Sequence, residues 1–314
     1  MTKALPLISI VVPVFNEGDG ITSLYRDIKK ETEKLSQYTW EILFVDDGST
    51  DSSSEHLNRI AESDKEVGIL TLSRNFGKEY ALTAGISYVH GDAIITLDGD
   101  GQHPVEAIDK FIEQWQKGFQ VVVGVRKEPR FSRSRLFYAL FNRLSGEHLT
   151  AGATDYRLID KVVQEEFVQL AENGRITRGL IDWLGFKRTS ILFTPKKRQF
   201  GTPTYSTKEL IRLAVHSFIS LSNLPLYIFG GLGIAITTLS GLLGLAVIIE
   251  QFILEDPLRW NFTGTAMLGI LILFLIGIVL MAQGVVSLYI SAIHRETKHR
   301  PLYVVDRTKS KKLK

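Results

Sequence analysis

The chain has 314 residues, 45% hydrophobic and 23% charged, with 37 basic and 34 acidic side chains and a net charge of +3. This length and charge content exclude an extensively disordered chain and allow two or three domains with a sizeable core. Cysteine is absent, which excludes disulfides, thiolate nucleophiles and Cys-ligated zinc.

The first 125 residues alternate short apolar runs with helical patterns. Ile8–Val12 reads as a buried strand; the apolar stretch to Phe15 is too short, and too interrupted by Pro13, for a cleavable signal peptide. Ile21–Leu35 reads as a helix, Glu41–Val45 as a second strand ending at Asp46-Asp47-Gly48-Ser49, and Ser53–Ser63 as a second helix. Val67–Leu72 is a third strand, followed by a helix around Glu79–His90. Ala93–Leu97 is a fourth strand ending at Asp98. Pro104–Lys117 is a helix with Pro104 suited to its first turn, and Val121–Val123 is a fifth strand. This β-α-β-α rhythm predicts an α/β domain with a largely parallel sheet covered on both faces. Ligands then gather beyond the carboxyl ends of the strands, where the acidic residues fall.

Beyond residue 125 the pattern changes. Phe131, Leu136, Phe137, Leu140, Phe141 and Leu144 recur at helical spacing with Arg133, Arg135 and Arg143 between them. Residues 131–149 are either an amphipathic juxtamembrane helix or an ordinary helix packed on the sheet. Residues 207–223 repeat the theme. From Leu213 to Ile249 there are 37 consecutive residues without Asp, Glu, Lys or Arg, and from Trp260 to His294 there are 35 more. About 20 apolar residues cross a hydrocarbon core, so residues 224–294 are expected to form two transmembrane helices joined by a short external loop, 250–262. Three segments, 126–143, 187–212 and 295–314, carry net +5, +6 and +6, which leaves −14 on the rest of the chain. A basic collar beside the apolar runs predicts cytoplasmic termini, a cytoplasmic domain over 1–206 and a basic cytoplasmic tail over 295–314. The basic segments hold no recognisable nucleic-acid reader, so no nucleic-acid partner is expected. His90, His103, His148 and His216 lack metal-ligand spacing and read as structural.

Asp98-Gly99-Asp100 directly follows an apolar strand. In an extended chain, carboxylates at i and i+2 point the same way and together can hold a hard divalent cation. Three further motifs close strands: Val11-Val12-Pro13-Val14-Phe15-Asn16-Glu17, Val45-Asp46-Asp47-Gly48-Ser49-Thr50-Asp51 and Leu72-Ser73-Arg74-Asn75-Phe76-Gly77-Lys78. The four, in this order and spacing, resemble the inverting GT-A glycosyltransferases of family 2, and no Gly-x-Gly-x-x-Gly or Walker loop competes with them. The resemblance continues through Gly124-Val125-Arg126, Thr154-Asp155-Tyr156-Arg157-Leu158 and Arg198-Gln199-Phe200-Gly201. With two C-terminal spans the chain resembles the polyprenyl-phosphate glycosyltransferases, the group of dolichyl-phosphate-mannose synthase and the bactoprenol glucosyltransferases.

The resemblance implies a GT-A, Rossmann-like catalytic domain at the inner membrane. It implies transfer of a hexose, glucose first, from a nucleotide diphosphate sugar, UDP first, to polyprenyl (undecaprenyl) phosphate, with Mg²⁺ or Mn²⁺. It also implies a homo-oligomer, a tetramer in related proteins. Pro13, Phe15 and Glu17, with Asp46 or Asp47, would hold base and ribose. Asp98 and Asp100 would bind metal and diphosphate, aided by Gln102. Arg126 and Arg198 would contact phosphates unless they form only a surface pair, and Asp155 occupies the position often assigned as base. A lipid phosphate monoester has its second pKa at about 6, so Asp155 reads as an orienter, or as the partner of a phosphate-binding Arg, rather than as an obligatory base. Related enzymes carry Gly-Glu-Ser-Lys where this chain has Gly201-Thr202-Pro203-Thr204, and Lys196 or Lys197 would have to replace that Lys. Mannosyl or N-acetylglucosaminyl transfer remains a parallel reading. A processive synthase would need a Gln-x-x-Arg-Trp motif, and Arg259-Trp260 has no such Gln. A lipid-binding scaffold would not need Asp98, Asp100 and Asp155.

Overall fold

The computed structural model describes residues 5–127, 153–170, 172, 175–196, 238, 242, 249, 264–298 and 300–312. The candidate helices over 131–149 and 207–223, nearly all of the first expected span, the loop 250–262, Arg198, Thr204, His148 and His216 lie outside the described residues. The chain divides into two units, Met1–Thr204 with Arg300–Lys314, and Tyr205–His299.

In the first unit the elements run β1 (Leu7–Val14), α1 (Gly20–Lys34), β2 (Thr39–Asp46), α2 (Ser53–Ser63), β3 (Val67–Thr71), α3 (Lys78–Tyr88) and β4 (Ala93–Thr96). A single 3-10 turn, Val105–Ala107, leads into α4 (Ile108–Gln116). Then follow β5 (Val121–Arg126), β6 (Ala153–Asp160), α5 (Lys161–Gln169), α6 (Thr177–Trp183) and β7 (Arg188–Phe193). All five strands expected from the apolar runs form. Their residues are buried on both faces, as continuous Val/Ile/Leu runs require in a sheet covered twice.

The seven strands lie in the order β3-β2-β1-β4-β6-β5-β7. Six share one direction; β6 is antiparallel to both β4 and β5. The sheet is therefore mixed, because β6 enters between two strands already laid down and runs against them. Strand order reverses between β1 and β4, which pair directly, so their carboxyl ends open a crevice there. One core layer, holding Ile10, Phe44, Phe111 and Tyr156, lies on one face; the other, holding Val11, Leu70, Ile86 and Phe167, lies on the opposite face.

Edge strand β3 is covered by the C-terminal tail of the same chain. Leu72 bridges Val305 and Ile69 bridges Lys311, and Asp306 N–H donates to the Thr71 carbonyl at 2.8 Å. Unpaired edge groups attract a further strand, and here the tail of the same chain, between Val304 and Lys311, satisfies them.

The second unit contains α7 (Gly264–Glu296), 33 residues that take in the C-terminal part of the stretch 224–294 expected to hold two spans. Leu268, Ile276, Val279, Ile290 and Ile293 are exposed on it. Counted over the described residues, no helix is long and apolar enough to cross a membrane; many side chains within α7 fall outside that description.

Candidate active site

The site forms where the loops after β1, β2, β3 and β4 meet the start of β6. The first two loops are tied together. Asn16 adopts a left-handed backbone (φ 55°), its N–H donates to Ser49 Oγ at 3.1 Å and its Oδ1 accepts from Thr50 N–H at 2.9 Å. Ser53 Oγ accepts from the Glu17 and Gly18 N–H groups at 3.0 and 2.9 Å. Phe15, between these loops and β1, is exposed.

The Asp98-Gly99-Asp100 loop packs on the end of β1. A Cβ on Gly99 would sit 2.7 Å from the Pro13 carbonyl oxygen, so only glycine permits the approach that brings both aspartates beside Pro13 and Glu17. The expected extended chain is not what forms: β4 ends at Thr96, and residues 99–100 make a turn. The Asp100 carboxylate accepts from Gln102 N–H at 3.0 Å, a local bond that competes with strand geometry. The two carboxylates still share one loop, and both are partly exposed.

Behind the loop, His103 is 1% exposed and stacks on Tyr156 at 4.9 Å between centroids. Its Nδ1 accepts from Asp98 N–H at 3.1 Å, which leaves the proton on Nε2, 3.7 Å from Asp98 Oδ2. Burial lowers the His103 pKa against the opposing pull of Asp98, so the ring is a neutral support, in line with its structural reading from sequence.

Pairing of β6 with β4 brings Asp155 alongside. Thr96 Oγ1 donates to the Asp155 carbonyl. Between the two acidic residues stands Lys78, the first residue of α3: its Nζ is 2.6 Å from Asp98 Oδ1 and 2.7 Å from Asp155 Oδ2. Burial pushes the Asp155 carboxyl up, but the Lys78 ammonium, with Arg178 and Arg157 beyond it, outweighs that and holds the pKa at about 2. Burial likewise pulls the Lys78 ammonium down, and Asp98 and Asp155 together raise it instead. Glu79 accepts from Thr177 N–H at 2.7 Å; burial, then the nearby Asp155 charge, raise its pKa.

Asp46 and Asp47 are almost fully buried and serve the loops. Asp46 accepts from Ser49 N–H at 2.8 Å and Ser54 Oγ at 2.6 Å. Asp47 accepts from Phe76 and Gly77 N–H at 2.7 and 2.8 Å; burial raises its pKa, opposed by those two donors. Gln102 Oε1 accepts from Arg126 Nη2 at 3.0 Å, so the oxygen expected on a metal serves a guanidinium here. Lys196 Nζ is 2.7 Å from Glu106, and this ion pair occupies one of the two lysines expected to replace the one missing at Thr204.

Lys78 closes the Leu72–Lys78 motif without a role legible in that motif; Gly-Lys-Glu at the opening of a helix is the one signal that marks it. The remaining buried polar atoms without a hydrogen-bond partner include Asp155 Oδ1 and Arg126 Nε. An anionic or hydroxylic ligand would satisfy the Arg126 donor. Asp98 and Asp100 offer hard oxygen donors, and Asp98 already holds a cationic group, so the donor set fits Mg²⁺ or Mn²⁺. Among the described residues no three His, Cys, Asp or Glu side chains form a metal cluster. A cation here would therefore complete its shell with water or ligand oxygens, as Mg²⁺ commonly does.

The family description "Glycosyl transferase family 2" matches residues 9–161. The chain is 35% identical over 311 residues to a bactoprenol glucosyl transferase of Shigella phage SfV, covering 97% of this chain and 99% of that one. A solved mannosyl-3-phosphoglycerate synthase from Rubrobacter xylanophilus matches with a TM-score of 0.52 and 17% identity, over 67% of this chain and 71% of that one. A glucosyl-3-phosphoglycerate synthase from Mycobacterium tuberculosis, solved with Mg²⁺ and uridine-diphosphate, matches with a TM-score of 0.51 and 18% identity, over 70% and 80%. At that identity the two structures speak to the fold alone.

Proposed function

The chain belongs to glycosyl transferase family 2 and is a glycosyltransferase, and from that premise we propose that it moves glucose from UDP-glucose to polyprenyl phosphate at the cytoplasmic membrane face, with inversion. The observation that carries the acceptor is the near full-length match to a bactoprenol glucosyl transferase. Mannose and N-acetylglucosamine are the other donors to test.

In this reading a phosphate oxygen of the lipid forms a bond to the anomeric carbon. The bond from that carbon to the nucleoside diphosphate breaks, and the diphosphate leaves with the electron pair. Pro13, Phe15 and Glu17 line the nucleotide side. Asp98 and Asp100 would hold a divalent cation, whose charge would offset that of the departing diphosphate. Arg126, fixed by Gln102, meets a phosphate with its unpaired Nε, and Arg198 is assigned to a second phosphate. Asp155 stays ionised and acts through the cationic side chains it holds, as an orienter or as the partner of a phosphate-binding Arg; the acceptor is already largely dianionic near neutrality, its second pKa being about 6, so no proton need be removed. Alignment and fixed charge supply the catalysis. Asp46 and Asp47 act by shaping the loops.

The apolar helix α7 and the segment 224–249 anchor this site at the bilayer, with both termini cytoplasmic. Self-association as a tetramer belongs to the same proposal and is checked by mass measurement in detergent. The function is tested by offering a panel of nucleotide sugars and polyprenyl phosphate to the full chain, with Mg²⁺. Label from UDP-glucose should enter the lipid extract, and Asp100→Ala should abolish it; unchanged incorporation would reject the metal assignment.

A further inference from the structure

Lys78 is placed by three separate elements. Asp47 at the end of β2 clamps the Phe76 and Gly77 N–H groups, which fixes where α3 starts. From that first helical position the ammonium reaches Asp98 beyond β4 and Asp155 on β6, at 2.6 and 2.7 Å. Asp155 Oδ1 is buried and has no hydrogen-bond partner. An oxygen of that kind beside a divalent cation is a ready additional ligand, since such ions take about six oxygens. A third carboxylate on the cation would bind it more tightly and would turn Asp155 away from the acceptor.

We propose that Lys78 is a positioning residue that competes with the cation for Asp98 and keeps Asp155 out of the metal shell. When the cation takes Asp98, the ammonium remains on Asp155 and holds that carboxylate in place. This rests on the assignment of a divalent cation to Asp98 and Asp100.

The test is titration of the full chain in detergent with Mn²⁺ alone, followed by the electron paramagnetic resonance signal of the free ion. Lys78→Gln should bind Mn²⁺ about tenfold more tightly, because a charged hydrogen-bonding competitor is removed. Its kcat should fall while KM for the donor changes little. Lys78→Arg should restore Mn²⁺ affinity to near the wild-type value. In Lys78→Gln/Asp155→Asn the share of the tightening that comes from the extra ligand should be lost, so that Mn²⁺ affinity falls below that of Lys78→Gln. Unchanged or weaker Mn²⁺ binding in Lys78→Gln, or a double variant that binds Mn²⁺ as tightly as Lys78→Gln, overturns the role of Lys78. Should Lys78→Gln not fold, the near-isosteric Asp155→Asn decides: it must weaken Mn²⁺ binding, because Lys78 is then left to Asp98 alone, and equal or tighter binding overturns the proposal. Mn²⁺ binding that is indifferent to Asp100→Ala, or absent from wild type and Lys78→Gln alike, overturns the metal assignment itself.

Discussion

Gly99→Ala adds one methyl group at the closest approach in the site. Its Cβ would stand 2.7 Å from the Pro13 carbonyl oxygen and 3.6 Å from Glu17 Cγ. Ordinary contact begins near 3.4 Å, so loop and strand must part by about 0.7 Å, and both sides of the clash are backbone. Overpacking of this size costs about 1–3 kcal/mol. At about 2–4 °C per kcal/mol for a unit of this size, the melting temperature should fall by roughly 2–12 °C. Function should suffer more than stability, because Asp98 and Asp100 move with the loop; a displacement of about 1 Å costs up to about 100-fold in rate. We expect glucose transfer into lipid to drop about 10- to 100-fold in kcat/KM, with the protein still folded at assay temperature. Gly101→Ala is the control. Its φ is +70° and its added Cβ meets nothing within 4 Å, so it carries backbone strain without a clash at β1. Gly99→Ala with activity within twofold of wild type, or Gly101→Ala as damaging as Gly99→Ala, would refute the reasoning.

Arg157→Ala removes the 2.8 Å ion pair between buried Arg157 and partly buried Asp182 and should destabilise by about 3 kcal/mol, the low end for a broken buried pair, because Arg188 stands 3.6 Å from Asp182; denaturant unfolding reads this out. His103→Phe keeps the ring stack but deprives Asp98 N–H of its acceptor, at about 1–3 kcal/mol, and transfer should fall about tenfold in a kinetic assay. The Asp155 pKa is lowered from 3.8 to about 2; the stability this contributes is fully present above about pH 4 and is lost as pH falls through about 2. The pH–rate profile should accordingly carry no acidic limb from Asp155 above pH 4; a limb near pH 6 that disappears in Asp155→Asn would contradict the placement of Lys78.

The strands and helices up to residue 126 were legible in the sequence because each is coded locally. A run such as Ile8–Val12 has no polar face, and the acidic motifs directly follow such runs. The motif residues Asp98, Asp100, Asp155 and Arg126 were legible as chemical types at telling positions. Three things were not. The turn at Gly99-Asp100 depends on a bond to Gln102 that the alternation pattern does not encode. The loop-building roles of Asp46 and Asp47 depend on N–H groups up to 30 residues away. The meeting of Asp98 with Asp155 depends on β6 running antiparallel beside β4. Sequence periodicity records which side of an element is buried; it does not record which strands become neighbours, because pairing is decided by the packing of the whole sheet. For that reason the sequence determined the elements and the inventory of charged groups, while only the tertiary structure decided that a lysine from a third helix would stand between the two carboxylates.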